Sequence, residues 1–435
     1  MARGTARGGA PSTRLAIYKA CWFNLCSDAD VLSAMDDAIY DGVDILSLSL
    51  GPDPPQPTYF ENAISIGAFH AFHRGILVSA SAGNSGFPST ACNVAPWILT
   101  VAASTLDREF HSNVYLGNSR ILKGSSLNPL KMERSYGLIA ASAAALPEVT
   151  AKNASFCKNN TLNASLIKGK IVVCTFETFT DNRRDKSIVV RQGGGVGMIL
   201  VDPFLKDVGF QFVIPGTLIG QEEAQELQEY MTTETNGSVL IHGAKYHNPR
   251  HYQTTVLDNS RRTIGRDPNG TPTTPFDYGS GHINPAAAID PGLVYDFDSH
   301  DIINFLCSTG ASPLQLKNLT GSLVYCQKSP APSYNFNYPS IGVSKMNGRV
   351  SVHRTVTYYG KGSTVYVANV DYPAGVNVTV APSKLKFTKT GEKMSFRVDF
   401  AAFKNSNGSF VFGALTWSNG IQKVRSPIGL NVISV

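Results

Sequence analysis

The stretch GILVSASAGNSGFPSTACNVAPW at Gly75–Trp97, together with GVDILSLSLGP at Gly42–Pro52, decides the fold of this chain. Each stretch holds a short apolar run that ends in small residues, and the first run leads through Ser79–Gly83 to Asn84. Buried parallel strands have this composition, and they deliver functional loops at their carboxyl ends. The two stretches therefore predict neighbouring strands of a parallel sheet.

Strands and helices alternate around these two stretches. Ser27 and the residues after it predict a capped helix through Ile39, with apolar side chains on one face. Short links join the segments, which is typical of a doubly wound parallel α/β sheet. The predicted segments, in order, are a strand at Arg14–Cys21, the capped helix, a strand at Val43–Leu50, a helix at Phe60–Arg74, and strands at Ile76–Ala80 and Ile98–Ala103.

Residues 4 to about 118 resemble the plant subtilisin-like serine proteases, the cucumisin-like group of peptidase family S8. The resemblance is carried by GTARGGAPSTRLAIYKACW, by GVDILSLSLG, by IGAFHAFHRGILVSASAGNSG and by NVAPWILTVAASTLDREF. In that family SAGN holds the oxyanion-hole asparagine, and SLSLG holds the strand edge that pairs with substrate. The resemblance implies an oxyanion donor at Asn84, a substrate-pairing edge at Ser49, Leu50 and Gly51, and a pocket wall at Ser81, Ala82 and Gly83. The alternative is that both loops are plain strand-to-helix turns.

The rest of the chain resembles the other domains of the same family. GKIVVC at Gly169–Cys174 and the elements after it resemble an inserted protease-associated (PA) domain. Alternating strands after NYPSI at Asn337–Ile341 predict a fibronectin-III-like β-sandwich. We therefore expect a partial peptidase domain at 1–120, a PA insert at 121–243, a peptidase remnant at 244–330 and the sandwich at 331–435.

The glycine run Gly193–Gly197 could suggest a nucleotide loop. It lies between a predicted helix and the next strand, whereas a dinucleotide loop lies between a strand and the next helix. No cofactor is expected from this motif or from the family.

The residues that would hydrolyse a peptide are missing from the sequence. The family mechanism needs a serine nucleophile, a histidine base and an aspartate. The aspartate and histidine motifs of the family precede GTARGGAP, and the serine motif Gly-Thr-Ser-Met belongs between the PA domain and GSGHINP. The interval from Ile241 to Tyr278 contains no such motif, and the family pattern breaks between about Asn236 and Val256. We therefore expect an inactive chain.

Other polar residues do not replace the triad. His282 lies in GSGHINP, a family motif that follows the serine, and His70 and His73 lie on the helix before Gly75. The acidic residues and the threonine that could be considered have turn, cap or solvent-exposed positions: Asp36, Asp37, Asp44 and Thr271. A base or metal role for any of them is disfavoured, and no metal is expected.

Composition favours a secretory history. Charged residues make up 16% of the chain, against roughly 25% in an average soluble domain, and the net charge is +6 without a long basic run. Nucleic acid is therefore an unexpected partner, as is a membrane, since the longest apolar stretches are too short to span one. Eight Asn-x-Ser/Thr sequons occur, at Asn153, Asn159, Asn163, Asn236, Asn269, Asn318, Asn377 and Asn407.

Seven cysteines point to the same oxidising compartment. Six fall as locally spaced pairs, which leaves Cys92 over: Cys21/Cys26, Cys157/Cys174 and Cys307/Cys326. Spacing alone does not prove this connectivity, and buried free thiols are the alternative. The first residues, MARGTARGGAP, have no apolar core and do not read as a signal peptide.

Two interpretations of function remain open. In the first, the chain is an incomplete copy of a secreted plant subtilase, whose family acts on peptides or proteins outside the cell. In the second, it is a non-catalytic protein-binding pseudoprotease. Complementation by a second fragment that carries the triad is a minor third possibility. The sequence leaves cleavage specificity and oligomeric state open.

Overall fold

The computed structural model describes residues 9–22, 25–85, 89–104, 109–178, 181–204, 208–234, 237–243, 245–247, 256–257, 263–266 and 271–435. These residues form two compact units. We call the described part of 1–11, 105–252 and 265–272 the insert unit. The described part of 12–104, 253–264 and 273–435 is the main unit.

The main unit begins with alternating helices and parallel strands. They are α1 (Asp28–Asp41), β1 (Ile45–Leu48), α2 (Ala63–His73), β2 (Leu77–Ser81) and β3 (Leu99–Val101). The side chain of Ser27 accepts from the backbone N–H of Asp30, and Gly42 ends α1 with a left-handed φ of 75°. The three strands pair in the order β1-β2-β3, all parallel. The helices and strands predicted after Ser27 are confirmed.

The two faces of this small sheet differ. Leu46, Val78 and Ala80 are buried in a core shared with α1 and α2. On the opposite face, Ile45, Leu77 and Leu99 remain 59%, 46% and 48% exposed. Parallel sheets are normally covered on both faces. One face of this sheet is therefore partly uncovered, and it exposes these three apolar side chains beside Ser47 and Ser79.

The strand predicted at Arg14–Cys21 is wrong. These residues belong to no helix or strand, and Leu15 and Ile17 are 85% and 89% exposed. An apolar run becomes a strand only where a neighbouring strand accepts its hydrogen bonds and a core covers its side chains. Here no strand pairs with the segment among the described residues, and only Tyr18 and Ala20 pack against the core.

The insert unit is a mixed sheet with short helices. Its strands are β4 (Glu109–His111), β5 (Val114–Leu116), β6 (Ile121–Leu122), β7 (Tyr136–Ala140), β8 (Ile171–Thr175), β9 (Gly197–Val201), β10 (Gly216–Ile219), β11 (Ser238–Ile241), β12 (Lys245–His247), β13 (Gly265–Arg266) and β14 (Thr271–Pro272). Its helices are α3 (Ala151–Ser155), α4 (Ala164–Ile167), α5 (Arg183–Gln192) and α6 (Gln221–Thr233). Seven strands form one sheet in the order β10-β9-β8-β7-β11-β5-β6. The glycine run lies between α5 and β9, where a side chain at Gly195 would collide with Val190.

The remainder of the main unit holds short helices and a β-sandwich. The helices are α7 (Pro275–Tyr278), α8 (Pro285–Ala288), α9 (Ser299–Ser308) and α10 (Pro313–Thr320). The strands are β15 (Leu293–Val294), β16 (Ile341–Asn347), β17 (Arg349–Tyr358), β18 (Thr364–Asp371), β19 (Val376–Ala381), β20 (Lys384–Phe387), β21 (Lys393–Ala402), β22 (Val411–Ser418) and β23 (Lys423–Ser434). One sheet has the order β15-β17-β21-β19 and the other β16-β23-β22-β18-β20. Apolar residues of α9 and α10 join the core of α1, α2 and β1–β3.

The NYPSI motif secures the entry to the sandwich. The side-chain amide of Asn337 donates to the carbonyls of Asp296 and Thr355, at 2.7 and 2.9 Å. Arg354 on β17 is 3% exposed, and its guanidinium donates to four backbone carbonyls at 2.8–2.9 Å. Burial lowers the pKa of Arg354 to about 10. The segment before β16 is thus held by hydrogen bonds from β17.

Candidate functional site

The site predicted from sequence lies where β1 and β2 end. β1 and β2 are parallel neighbours, with Leu48 opposite Ala80. The residues that follow the two strands therefore leave the sheet side by side, at the carboxyl ends of the strands. Ser49, Leu50 and Gly51 follow β1, while Ala82, Gly83 and Asn84 follow Ser81 at the end of β2. The structure therefore places both predicted loops at the carboxyl ends of the two strands.

Asn93 joins the two loops. Its side-chain Nδ2 donates to the carbonyl of Leu50 at 2.9 Å and to the carbonyl of Ser81 at 2.8 Å. Asn93 itself is fully buried and has a left-handed φ of 57°, a conformation that asparagine tolerates better than most residues. Its backbone N–H donates to Gln56 Oε1 at 2.7 Å, and its carbonyl accepts from Thr100 Oγ1 at 2.6 Å. We call these contacts the Asn93 clasp.

Cys92 packs against a glycine of each loop. A Cβ atom added at Gly51 would lie 2.7 Å from Cys92 Sγ, and one added at Gly83 would lie 3.1 Å from the same sulfur. The thiol is 4% exposed and forms no disulfide, and its burial raises the pKa of Cys92. The loops thus approach Cys92 as closely as they do because both positions are glycines.

Four of the seven predicted site residues are exposed to solvent, and three are half-buried. Asn84, Ser49, Gly51 and Gly83 are exposed, while Leu50, Ser81 and Ala82 are half-buried. In its sheet β1 is an edge strand, which leaves one side open to a further strand. An extended peptide can add to such an edge through main-chain hydrogen bonds.

Sequence reasoning missed Asn93 and treated Cys92 only as an unpaired cysteine. Asn93 lies in the same stretch as SAGN, at ACNVAPW. Its importance depends on carbonyls up to 43 residues away, which local patterns do not reveal. No spacing rule connects these positions.

The alternative polar residues lie apart from this edge or in ordinary roles. His70 and His282 are exposed, and His73 Nδ1 lies 2.9 Å from Ser299 Oγ. Asp44 and Asp36 are exposed as well. Within the described part of the chain, no cluster of three or more His, Cys, Asp or Glu side chains is arranged to hold a metal ion.

The cysteines and sequons have defined positions. Disulfides join Cys21 to Cys26, Cys157 to Cys174 and Cys307 to Cys326. The exposed sequon asparagines are Asn153, Asn159, Asn318, Asn377 and Asn407. Asn163 is half-buried and caps α4 through its side-chain oxygen. Asn236 and Asn269 lie outside the described residues.

Three family models match the sequence. A subtilase-family model matches residues 2–179, a PA-domain model matches residues 139–227, and a fibronectin type-III model matches residues 335–430. Among the helices of the described residues, none is long and apolar enough to cross a bilayer.

Curated relatives match along the whole chain. The chain is 59% identical to a subtilisin-like serine-protease S of Lotus japonicus, across 100% of this chain and 69% of the relative. It is 33% identical to the subtilisin-like protease SBT5.3 of Arabidopsis thaliana, across 98% of this chain and 68% of the relative. It is also 33% identical to a CO(2)-response secreted protease of Arabidopsis thaliana, across 98% of this chain and 69% of the relative. The Lotus alignment has 523 positions against 435 residues here, so 523 minus 435, or 88, positions have no residue in this chain.

Proposed function

This chain belongs to the subtilase family of serine proteases, and we propose that it retains the peptide-binding edge of such a protease without the serine that hydrolyses peptides. The edge consists of Ser49–Gly51 and Ser81–Gly83, with Asn84 beside it. The observation that carries the proposal is the Asn93 clasp, which joins Leu50 and Ser81 through one amide nitrogen. Preorganised loops lower the entropy that binding would otherwise cost.

Three observations support the loss of hydrolysis. The interval Ile241–Tyr278 contains no Gly-Thr-Ser-Met, and the 88 unmatched positions of the Lotus alignment fall between aligned residues of this chain. The partly uncovered sheet face at Ile45, Leu77 and Leu99 is what a parallel sheet presents when covering helices are missing. Subtilisin loses on the order of 10⁶ in kcat when its triad is removed.

Asn84 has a restricted role in this proposal. An oxyanion donor acts on the charge that develops in the transition state, and it adds little to the binding of an intact peptide. Without a nucleophile no such charge develops. Asn84 is therefore a surface residue beside the binding edge here, and its amide no longer contributes to catalysis.

We also place the chain outside the cell. Three disulfides join six of its seven cysteines, and five described sequon asparagines are exposed. Disulfides persist in oxidising compartments. One of the relatives is named as a secreted protease.

The test compares hydrolysis and binding on the purified chain. A fluorogenic peptide of uncharged residues should not be hydrolysed above background. A labelled version should bind, as followed by fluorescence anisotropy, and its backbone N-methylated twin should bind at least about tenfold more weakly because it cannot donate to the strand edge. The Asn84→Ala variant should bind the peptide as the parent chain does. Hydrolysis that a serine-reactive phosphonate abolishes, or equal binding of the methylated twin, would refute the proposal.

A further inference from the structure

A cavity of about 370 Å³ lies in the main unit, between residues 56–60 and the turn that joins α9 to α10. It is a separate feature from the predicted loops. Every described residue that lines it is uncharged. Its volume lies within the range of about 300–1,000 Å³ that is common for small-ligand sites. A charged ligand would find no ionic partner among these residues, so a neutral ligand is favoured.

Two aromatic residues line the cavity, Tyr59 and Phe60. Tyr59 packs against Trp97 and Phe305, with ring centroids 5.3 and 6.0 Å apart. Burial raises the pKa of Tyr59, whose hydroxyl is neutral at physiological pH even without this shift. Gln56 and Gln315 also line the cavity, and both carry side-chain amides. Aromatic walls favour a ring in tilted or offset contact, and amides pair with an amide.

Gln56 connects the cavity to the Asn93 clasp. Its Oε1 accepts from the backbone N–H of Asn93 at 2.7 Å, and the side chain of Asn93 holds Leu50 and Ser81. Val94, the next residue, lines the cavity and is 44% exposed. A ligand that engages Gln56 therefore acts on the residue that joins the two loops.

We propose that this cavity binds an uncharged aromatic amide, the chemistry of a phenylalanine residue within a peptide, and that Gln56 transmits its occupancy to the Asn93 clasp. The first part concerns a site distinct from the peptide-binding edge. The second part rests on the proposed function, because the clasp holds that edge.

Binding is tested with two probes of nearly equal size, N-acetylphenylalaninamide and N-acetylphenylalanine, by saturation-transfer NMR on the full chain. The neutral amide should bind saturably, and the carboxylate should bind at least about tenfold more weakly. Acetyl-Ala-Phe-Ala-amide should bind at least as well as the free amide if the ligand is a peptide residue. Weaker binding of the tripeptide would overturn the peptide assignment, and a carboxylate that binds equally well would overturn the site chemistry.

Variants separate this cavity from other surfaces. Val94→Trp places a large side chain at the mouth and should abolish binding of the amide. The matched control is Val365→Trp, at a valine of the sandwich that is 42% exposed, and it should leave binding unchanged. Equal binding by both variants would overturn the assignment of the cavity.

The coupling between the cavity and the Asn93 clasp is measured by hydrogen exchange of the backbone N–H of Asn93. Ligand binding should slow this exchange in the parent chain and leave it unchanged in Gln56→Ala, which lacks the acceptor. An effect that persists in Gln56→Ala would overturn the role of Gln56. The N-methylated peptide pair, made without aromatic residues so that it does not fit the cavity, tests the binding edge alone, so the two proposals fail separately.

Discussion

The side-chain amide of Asn93 donates to the backbone carbonyl of Ser81 over 2.8 Å, and the same nitrogen reaches Leu50. One buried residue thus holds both loops that follow the neighbouring strands β1 and β2. Because a buried carbonyl without a donor costs free energy, the two loops and Asn93 stabilise one another. This contact determines the geometry of the candidate binding edge.

Replacement of Asn93 should destabilise the main unit. Asn93→Ala removes both donors and puts alanine into a left-handed backbone, so we expect a loss of about 3 kcal/mol in the free energy of unfolding. Urea denaturation followed by tryptophan fluorescence measures it. The control is Asn407→Ala, at an exposed asparagine with φ 53°, in protein made without glycans. Equal losses in both variants would mean that backbone strain, and not the clasp, is responsible.

Replacement of Gly51 by alanine should destabilise the protein as long as Cys92 is present. The Cβ of Gly51→Ala would lie 2.7 Å from Cys92 Sγ, and such overpacking costs about 1–3 kcal/mol. Gly342→Ala is the control, because that position has open space around it. In a double-mutant cycle, Cys92→Ala should recover part of the loss. Additive effects of the two substitutions would contradict the contact.

Cys92 should be unreactive in the native protein. Six of seven cysteines form disulfides, and the remaining thiol is 4% exposed with a raised pKa because of burial. A raised pKa keeps the thiol protonated to higher pH than a free cysteine, so alkylation should begin only at more alkaline pH. Without reductant, Ellman's reagent should find no thiol in the native chain and one after unfolding in guanidinium. A fast-reacting native thiol would disprove this burial.

Replacement of Arg354 by lysine should lower the stability of the protein. Its guanidinium serves four carbonyls, and an ammonium cannot reach all of them with the same geometry. Arg354→Lys should lower the free energy of unfolding by about 3 kcal/mol or more, since buried acceptors are left unpaired. Arg349→Lys, on the exposed part of the same strand, is the control and should change stability little. Thermal unfolding monitored by circular dichroism distinguishes the two.

Local signals predicted most of the elements correctly. Ser27 and Gly42 mark the ends of α1 because capping involves only neighbouring residues. The sandwich strands show the alternation of buried and exposed residues that a two-layer fold requires. At Arg14–Cys21 the same reasoning failed, because an apolar run does not reveal whether a partner strand lies beside it.

The sequence by itself determined the family, the alternation of helices and strands, and the two loops at Ser49–Gly51 and Ser81–Asn84. Only the tertiary structure decided how these loops are held, that Cys92 and Asn93 lie between them, and that one face of the sheet stays partly uncovered. The physical reason is the range of the interactions. Caps and periodicity act within a few residues, whereas the Asn93 clasp and the packing of Cys92 join positions up to 43 residues apart.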